Sequence, residues 1–220
     1  MPIMASRPPS APAEAPFDCT ACPRLVSFRR RNEDLFPDYH NAPVASFGDP
    51  EAEILIVGLA PGLKGANRTG RPFTGDYAGL LLYPTLLKFG FAQGRFAADP
   101  NDGLRLVRAM VTNAVRCVPP ANKPVGAEIG NCRRYLAARI EALPRLKVLF
   151  ALGRIAHESA VRALGERPGA YPFAHGAMHR LGGRVLIDSY HCSRYNVNTR
   201  RLTAEMFEAA FARAVAALQG

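Results

Sequence analysis

Hydrophobic residues fall into four short runs, at 54–57, 110–115, 147–152 and 184–188. The runs are of strand length and nearly continuous, a pattern typical of strands that are buried on both faces of a parallel sheet. Elsewhere the apolar pattern predicts helices, over the segments 25–31, 77–89, 128–143, 155–164 and 203–219. Strands that alternate with helices in this way indicate a three-layer α/β/α fold with a central, mostly parallel sheet of about four strands.

A long polar loop follows the first predicted strand. Between residues 58 and 76, glycine and proline recur and polar side chains separate them, so this segment cannot be a helix. It contains neither a GxGxxG nor a Gly-Lys-Ser/Thr sequence, so the pattern does not support a nucleotide-phosphate site. Open α/β folds bind ligands beyond the carboxyl ends of their strands, and long loops there are commonly functional. We therefore expect the active site at this loop.

Three polar side chains are predicted to meet at one edge of the sheet. Asp76 ends the loop, Asn113 lies at the end of the second strand, and His191 follows the fourth. Since the carboxyl ends of parallel strands share one edge, these groups should converge in one crevice. The amide of Asn113 carries both a donor and an acceptor, so it can pair with the edge of a base. The alternatives are that Asn113 satisfies loop backbone groups and that Asp76 only caps the next helix.

The cysteines suggest a metal centre. Cys19 and Cys22 form a CxxC pair, which lets two thiolates reach one centre from a tight turn. Cys117 and Cys132 form a second pair with a spacing that is uncommon in zinc ribbons. Four thiolates favour a 4Fe-4S cluster, with zinc and with unrelated cysteines as the alternatives. Cys192 is left over and is not counted as a ligand.

The composition is ordinary for a globular protein, but the charge is not. Of the 220 residues, 48% are hydrophobic, and the formal net charge is +10. A basic surface favours a polyanionic partner, nucleic acid before membrane, and a merely basic enzyme is the alternative. Residues 1–16, rich in Pro and Ala, are expected to form a disordered tail, and residues 17–220 a single domain. The sequence has no signal peptide or run of membrane-spanning length, which predicts a cytoplasmic protein.

Four segments of the chain resemble the family 5 (type B) uracil-DNA glycosylases of bacteria and archaea. They are CTACPRLVSFRR, GLAPGLKGANRTGRPFTGD, VRCVPPANKPVGAEIGNCRRYL and SYHCSRYNVNTRRLT, and they are spread over residues 19 to 203 in the order of the family. The resemblance implies the glycosylase fold and a 4Fe-4S cluster held by the four cysteines of the two pairs. Cys192 and Arg200 stand where the family usually has Pro and Gly, and the run 77–80 is less polar than in the family.

The resemblance also implies roles for the residues of the crevice. The implied catalytic residues are Asp76, Asn122 and His191; those that bind the base are Gly58, Ala60, Phe73 and Asn113; those that contact DNA are Asn67, Arg68, Ser193, Arg194 and Tyr195. Phe73 would stack on a flipped base, and His191 would donate a hydrogen bond to its O2. Asp76 would orient water or stabilise the sugar cation. Asn67 and Arg68 would shape the loop or contact phosphate. Arg194 and Tyr195 would enter the minor groove, with a surface loop of no such role as the alternative.

The implied function is a monofunctional repair glycosylase, in which a monomer excises uracil from double-stranded and also single-stranded DNA and leaves an abasic site. The family also tolerates damaged bases such as hypoxanthine, ethenocytosine and mismatched thymine, so other deaminated or damaged bases are expected beside uracil and the exact range is left open. Lys64 is the one lysine of the loop, and a lyase step is not expected. One alternative is a non-catalytic iron-sulfur protein that recognises damaged or single-stranded DNA, and another is a hydrolase of RNA or nucleotides.

Overall fold

The computed structural model describes residues 12–219 as a sheet with helices on both faces. The strands are β1 (Phe47–Gly48), β2 (Ile54–Gly58), β3 (Ala92–Gln93), β4 (Arg105–Leu106), β5 (Ala109–Asn113), β6 (Val148–Leu152), β7 (Met178–Leu181) and β8 (Arg184–Ser189). Six of them form the central sheet in the order β1-β5-β2-β6-β8-β7, and β3 pairs with β4 separately.

The four predicted strands are the four central ones. β5, β2, β6 and β8 run parallel to one another, whereas β1 and β7 close the two edges in antiparallel orientation. The three-layer fold with a mostly parallel sheet is therefore confirmed, with two more strands than expected. The edge strands escaped prediction because β1 has only two residues and β7 is largely polar.

The helices are α1 (Pro23–Leu35), α2 (Ala66–Thr69), α3 (Gly79–Lys88), α4 (Gly126–Glu141), α5 (Arg154–Ala163), α6 (Arg194–Asn198) and α7 (Ala204–Ala216). Each of the five predicted helices is present, and the short α2 and α6 are additional. None of the helices in residues 12–219 is long and apolar enough to cross a membrane.

The sheet separates two hydrophobic layers. Ile54 and Ile56 of β2 face α3 and α7, whereas Leu55 and Val57 face α4 and α5. Because both faces are covered, every residue of β2 is buried, which explains why its sequence is continuously apolar rather than alternating. This packing fixes the carboxyl ends of the parallel strands, from which the site residues project.

The expected tail packs partly on the domain. Residues 1–11 of it lie outside the described part of the chain, but Glu14 forms ion pairs with Arg116 at 3.1 Å and Arg139 at 2.6 Å. Arg116 also donates a hydrogen bond to the carbonyl of Ala13. Arg116 is 1% exposed, and a buried guanidinium requires a counter-charge. Ala13 and Glu14, which the sequence assigned to the tail, therefore contact the domain.

Candidate active site

A cleft of about 560 Å³ opens beyond the carboxyl ends of β2, β6 and β8. Its volume is in the usual range for small-molecule sites. The three implied catalytic residues, Asp76, Asn122 and His191, all line it. Two of the three groups that the strand pattern predicted to meet, Asp76 and His191, therefore share the cleft. The third, Asn113, is buried at the end of β5 and is not among the residues that line the cleft.

Asp76 both caps a helix and lines the cleft. Its Oδ1 accepts hydrogen bonds from the backbone N–H groups of Ala78 at 3.1 Å and Gly79 at 3.3 Å, so it caps the start of α3. Its other oxygen, Oδ2, packs against the loop, where a Cβ placed on Gly65 would lie only 2.5 Å away. Burial raises the pKa of Asp76 more than these two hydrogen bonds lower it. The carboxylate is thus held by one oxygen and lines the cleft.

His191 is a neutral imidazole at neutral pH, because burial lowers its pKa to about 4. The backbone around it is tightly fixed: Asn196 donates a hydrogen bond to its carbonyl at 2.8 Å, and Ser193 caps α6 directly after it. The imidazole ring stacks beside Phe73 with the centroids 6.1 Å apart. His191 can therefore donate a hydrogen bond into the cleft without carrying a positive charge.

Phe73 and Asn113 form a buried group next to His191, at the end of β2. A Cβ placed on Gly58 would lie 2.4 Å from both Asn113 Oδ1 and Phe73 Cζ, so only glycine fits between them. Asn113 is 3% exposed, and its Oδ1 accepts no hydrogen bond from any described residue. A buried acceptor without a donor costs about 1–3 kcal/mol, which a ligand that supplies an N–H group would recover. Ala60, the fourth predicted base-binding residue, lines the cleft.

Three of the seven non-glycine residues with a left-handed backbone in the described part of the chain lie at this site. Phe73, Ala121 and Asn122 have φ angles of 53°, 53° and 56°, in the left-handed region that side chains disfavour. Each such residue costs about 1–2 kcal/mol, and residues held in this way are found preferentially at functional sites. Asn122 reaches the cleft from this strained turn, and Phe73 reaches the buried group.

The predicted DNA contacts divide into two groups. Ser193 and Arg194 line the mouth of the cleft, and Tyr195 beside them is 71% exposed. Arg194 lies over the ring of Tyr77, with its Cζ 5.4 Å from the ring centroid. Arg68 is also exposed.

The predicted DNA contact of Asn67 is wrong. Its side chain is fully buried, and its Nδ2 donates to Asn41 Oδ1 at 2.9 Å, which holds the loop to the segment after α1. Asn67 therefore shapes the loop, the other role the sequence allowed, and cannot reach a phosphate.

The four cysteines of the two pairs are brought together by α1, the loop after β5 and α4. They pack in one small cluster with Leu25, Val115 and Tyr135. Hydrogen bonds reach three of the sulfurs: from the N–H of Arg116 to Cys132, from Asn131 to Cys22, and between Tyr135 and Cys19. Burial raises the pKa of Cys117 to about 12, so thiolates here need a cation beside them. The donor set therefore suits a metal centre.

Four cysteine thiolates can hold either one zinc ion or a 4Fe-4S cluster. Cys192 is fully buried on the other side of the sheet, in the layer formed by α3 and α7.

A buried polar network that the sequence pattern did not predict lies behind the cleft. His157 is 1% exposed, and its Nδ1 lies 2.7 Å from Asp188 Oδ1 while its Nε2 lies 2.7 Å from the carbonyl of Tyr171. A carbonyl only accepts, so Nε2 donates to it. His179 Nε2 also contacts Asp188, at 3.3 Å. The network ties α5 and β7 to the strand that carries His191.

Comparison with known proteins identifies a family for most of the chain. Residues 45–216 match the model of the uracil DNA glycosylase superfamily. A Type-5 uracil-DNA glycosylase of Thermus thermophilus is 49% identical over 195 residues, which cover 86% of this chain and 89% of that protein. One of Pyrobaculum aerophilum is 38% identical over 205 residues, covering 90% and 88%. A Type-4 uracil-DNA glycosylase of Sulfurisphaera tokodaii is 30% identical over 168 residues, covering 73% and 70%.

Proposed function

The chain belongs to the uracil-DNA glycosylase superfamily, and we propose that it hydrolyses the bond between N1 of uracil and deoxyribose in DNA. The observation that carries this proposal is the buried Asn113 amide with an unpaired Oδ1, next to a cleft lined by Asp76 and His191. Uracil offers an N3–H donor beside the O4 acceptor. The amide of Asn113 complements that edge, because its Oδ1 can accept from N3–H while its Nδ2 donates to O4.

The base must leave the duplex before it can be cut. Flipping costs a few kcal/mol, and side chains that fill the vacated stack offset part of it. Tyr195 and Arg194 stand at the mouth of the cleft with their side chains exposed to an approaching duplex. We assign them to the gap that the flipped nucleotide leaves.

Bond cleavage separates charge, and the cleft has a suitable group for each side. The uracil leaves as an anion with charge on O2, and a neutral His191 N–H can donate to that oxygen as the charge develops. The deoxyribose becomes cationic, and the Asp76 carboxylate can stabilise it and orient the attacking water. Asn122 lines the same cleft and supplies a further polar group. Phe73, buried beside His191, would stack on the base.

The reaction is proposed to stop at hydrolysis. A lyase step needs an amine in the cleft, but Lys64 is exposed to solvent and is not among the residues that line the cleft. Borohydride should therefore trap no covalent adduct between the protein and the abasic product. A trapped adduct that Lys64→Ala abolishes would contradict this part of the proposal.

We assign a 4Fe-4S cluster to Cys19, Cys22, Cys117 and Cys132. The clustering of the four thiols and the hydrogen bonds to their sulfurs support a charged centre held by four cysteines, and the resemblance to the family favours iron-sulfur. When bound, the cluster would supply a cross-link between the segment before α1, the loop after β5 and α4. Arg24 of α1 already forms a bidentate ion pair with Glu128 of α4, which joins the same elements.

The alternative of a non-catalytic DNA-binding protein is not favoured, since the relatives carry the name of an enzyme and the cleft holds groups for both developing charges. Oligonucleotides that each contain one uracil, hypoxanthine, ethenocytosine or mismatched thymine test it and give the range of bases. Wild-type protein should release uracil, and Asp76→Asn, which can still accept the two capping hydrogen bonds, should be slower by about 10²–10³-fold. Equal rates for both proteins would remove Asp76 from the mechanism.

A further inference from the structure

A second pocket, of about 360 Å³, lies between α4 and α5, beside the candidate active site. Ile155 lines both the pocket and the cleft, and Gly126 of the pocket follows Asn122 of the cleft by four residues. From Ile155 the pocket runs along α5 to Arg162, about 10 Å farther along the helix. It is therefore a continuation of the cleft down the α4–α5 side of the domain.

The pocket contains polar groups with no partner. Ser159 is 2% exposed and lines the pocket, and its Oγ has no hydrogen bond within residues 12–219. Arg133 lines the opposite wall, and its Nε is likewise buried without a partner. A hydroxyl on one helix and a guanidinium on the next, both unsatisfied, are a donor set for an oxygen-rich anion.

The charge of the pocket matches a single negative group. Arg162 is paired with Glu158 at 3.2 Å on the same helix, so these two charges offset each other. Arg133 forms no ion pair with any described residue, so its guanidinium gives the pocket one positive charge that is not offset. A phosphodiester carries one negative charge and offers two unesterified oxygens.

We propose that this pocket binds a backbone phosphate of the DNA strand whose base enters the cleft, through Arg133 and Ser159. The inference rests on the proposed function, since it takes DNA as the substrate. A strand that places one nucleotide in the cleft must pass over its rim on both sides. Arg194 and Tyr195 occupy one side of that rim, and the α4–α5 pocket provides a phosphate contact on the other.

Salt dependence gives the first test. Each phosphate contact contributes about 0.9 to the slope of log affinity against log salt concentration. Arg133→Gln should lower the slope by about that amount, so that raising salt from about 50 to 200 mM weakens the wild type about 3.5-fold more than the variant. Arg180→Gln, on the distant edge strand β7, is the matched control and should leave the slope unchanged. An unchanged slope in Arg133→Gln would contradict the proposal.

A phosphate scan locates the contact. Duplexes carry 2′-fluorodeoxyuridine, whose glycosidic bond resists hydrolysis, and one neutral methylphosphonate at successive positions around it. At one flanking position the methylphosphonate should weaken binding of wild type by about fourfold at 200 mM salt. At that position the methylphosphonate should not weaken DNA binding by Arg133→Gln any further, and it should weaken binding by Ser159→Ala less than binding by wild type. Ser159→Ala removes only an unpaired hydroxyl, so it keeps the test valid if Arg133→Gln does not fold.

Two outcomes would overturn the assignment. If no position shows this coupling although wild type excises uracil, the pocket does not contact DNA and the proposed function stands. The pocket binds free phosphate instead if three results occur together. Inorganic phosphate inhibits wild type at constant ionic strength, Arg133→Gln relieves that inhibition, and no methylphosphonate position affects wild type and Arg133→Gln differently. Absence of uracil excision by wild type would instead contradict the proposed function itself.

Discussion

Gly58→Ala tests whether the contact between Asn113 and Phe73 decides recognition of the base. Gly58 is the last residue of β2 and pairs with Asn113 across the sheet. An added Cβ would lie 2.4 Å from Phe73 Cζ and 2.4 Å from Asn113 Oδ1. Since carbon atoms pack at about 3.5–4.0 Å, the Phe73 ring would have to retreat by about 1.1–1.6 Å. Asn113 would have to move as well.

Neither neighbour can move freely. Phe73 is 5% and Asn113 3% exposed, so the methyl group overpacks a filled region, at a cost of about 1–3 kcal/mol. For a chain of this length that lowers Tm by about 2–12 °C. The catalytic loss should be larger, because a misplacement of about 1 Å costs about 10²-fold in rate. The two effects can therefore be separated.

The assay is single-turnover release of uracil together with a thermal melt of the same protein. Gly130→Ala is the control, because Gly130 lies on α4 and no atom is within 4 Å of its added Cβ. It should retain full activity and gain up to about 1 kcal/mol, since alanine favours a helix over glycine. If Gly58→Ala excises uracil at the wild-type rate and has an unchanged Tm, the assigned roles of Asn113 and Phe73 are refuted.

Three further predictions concern the fold and its chemistry. Asp102→Asn breaks a bidentate ion pair with Arg71, in which both side chains are at least 95% buried, and should cost about 3–5 kcal/mol in urea unfolding. His191→Gln should lose less stability than wild type between pH 6.5 and about 4. In that range the unfolded chain takes up a proton on His191 and the folded protein does not, because burial lowers the pKa of His191 to about 4, so acid favours unfolding of the wild type. Cys132→Ser should lose iron and visible absorption, as measured by metal analysis, whereas Cys192→Ser should keep both.

Each of these has a clear contrary result. Urea unfolding of Asp102→Asn within about 0.5 kcal/mol of wild type would show that Arg71 finds another partner. Parallel pH profiles of stability for wild type and His191→Gln would mean that His191 is not buried as a neutral group. Zinc in place of iron, or iron retained by Cys132→Ser, would contradict the assigned cluster.

The fold and the outline of the site could be predicted because local pattern determines them. The strands at 54–57 and 147–152 are continuously apolar since both of their faces are covered. Asp76 and His191 share one cleft, and Asn113 is buried beside Phe73 at the same edge, since parallel strands end at one edge of the sheet. Their individual roles came from the resemblance and not from the pattern.

What could not be predicted depends on partners distant in the chain. Asn67 is buried because it pairs with Asn41, which is 26 residues away in the sequence. Nothing in the loop sequence distinguishes Asn67 from its exposed neighbour Arg68. His157 is buried because Asp188 lies 31 residues away on β8. The phosphate pocket likewise depends on the packing of α4 against α5, which places Arg133 opposite Ser159.

The most direct test of the account is the release of free uracil from a duplex with a single uracil, beside the same duplex with cytosine at that position. We expect wild type to release uracil and leave an abasic site that alkali cleaves, with no release from the cytosine duplex. Asp76→Asn should bind the uracil duplex with unchanged affinity but release the base at least about 10²-fold more slowly. Binding of the uracil duplex without any base release by wild type would contradict the central claim.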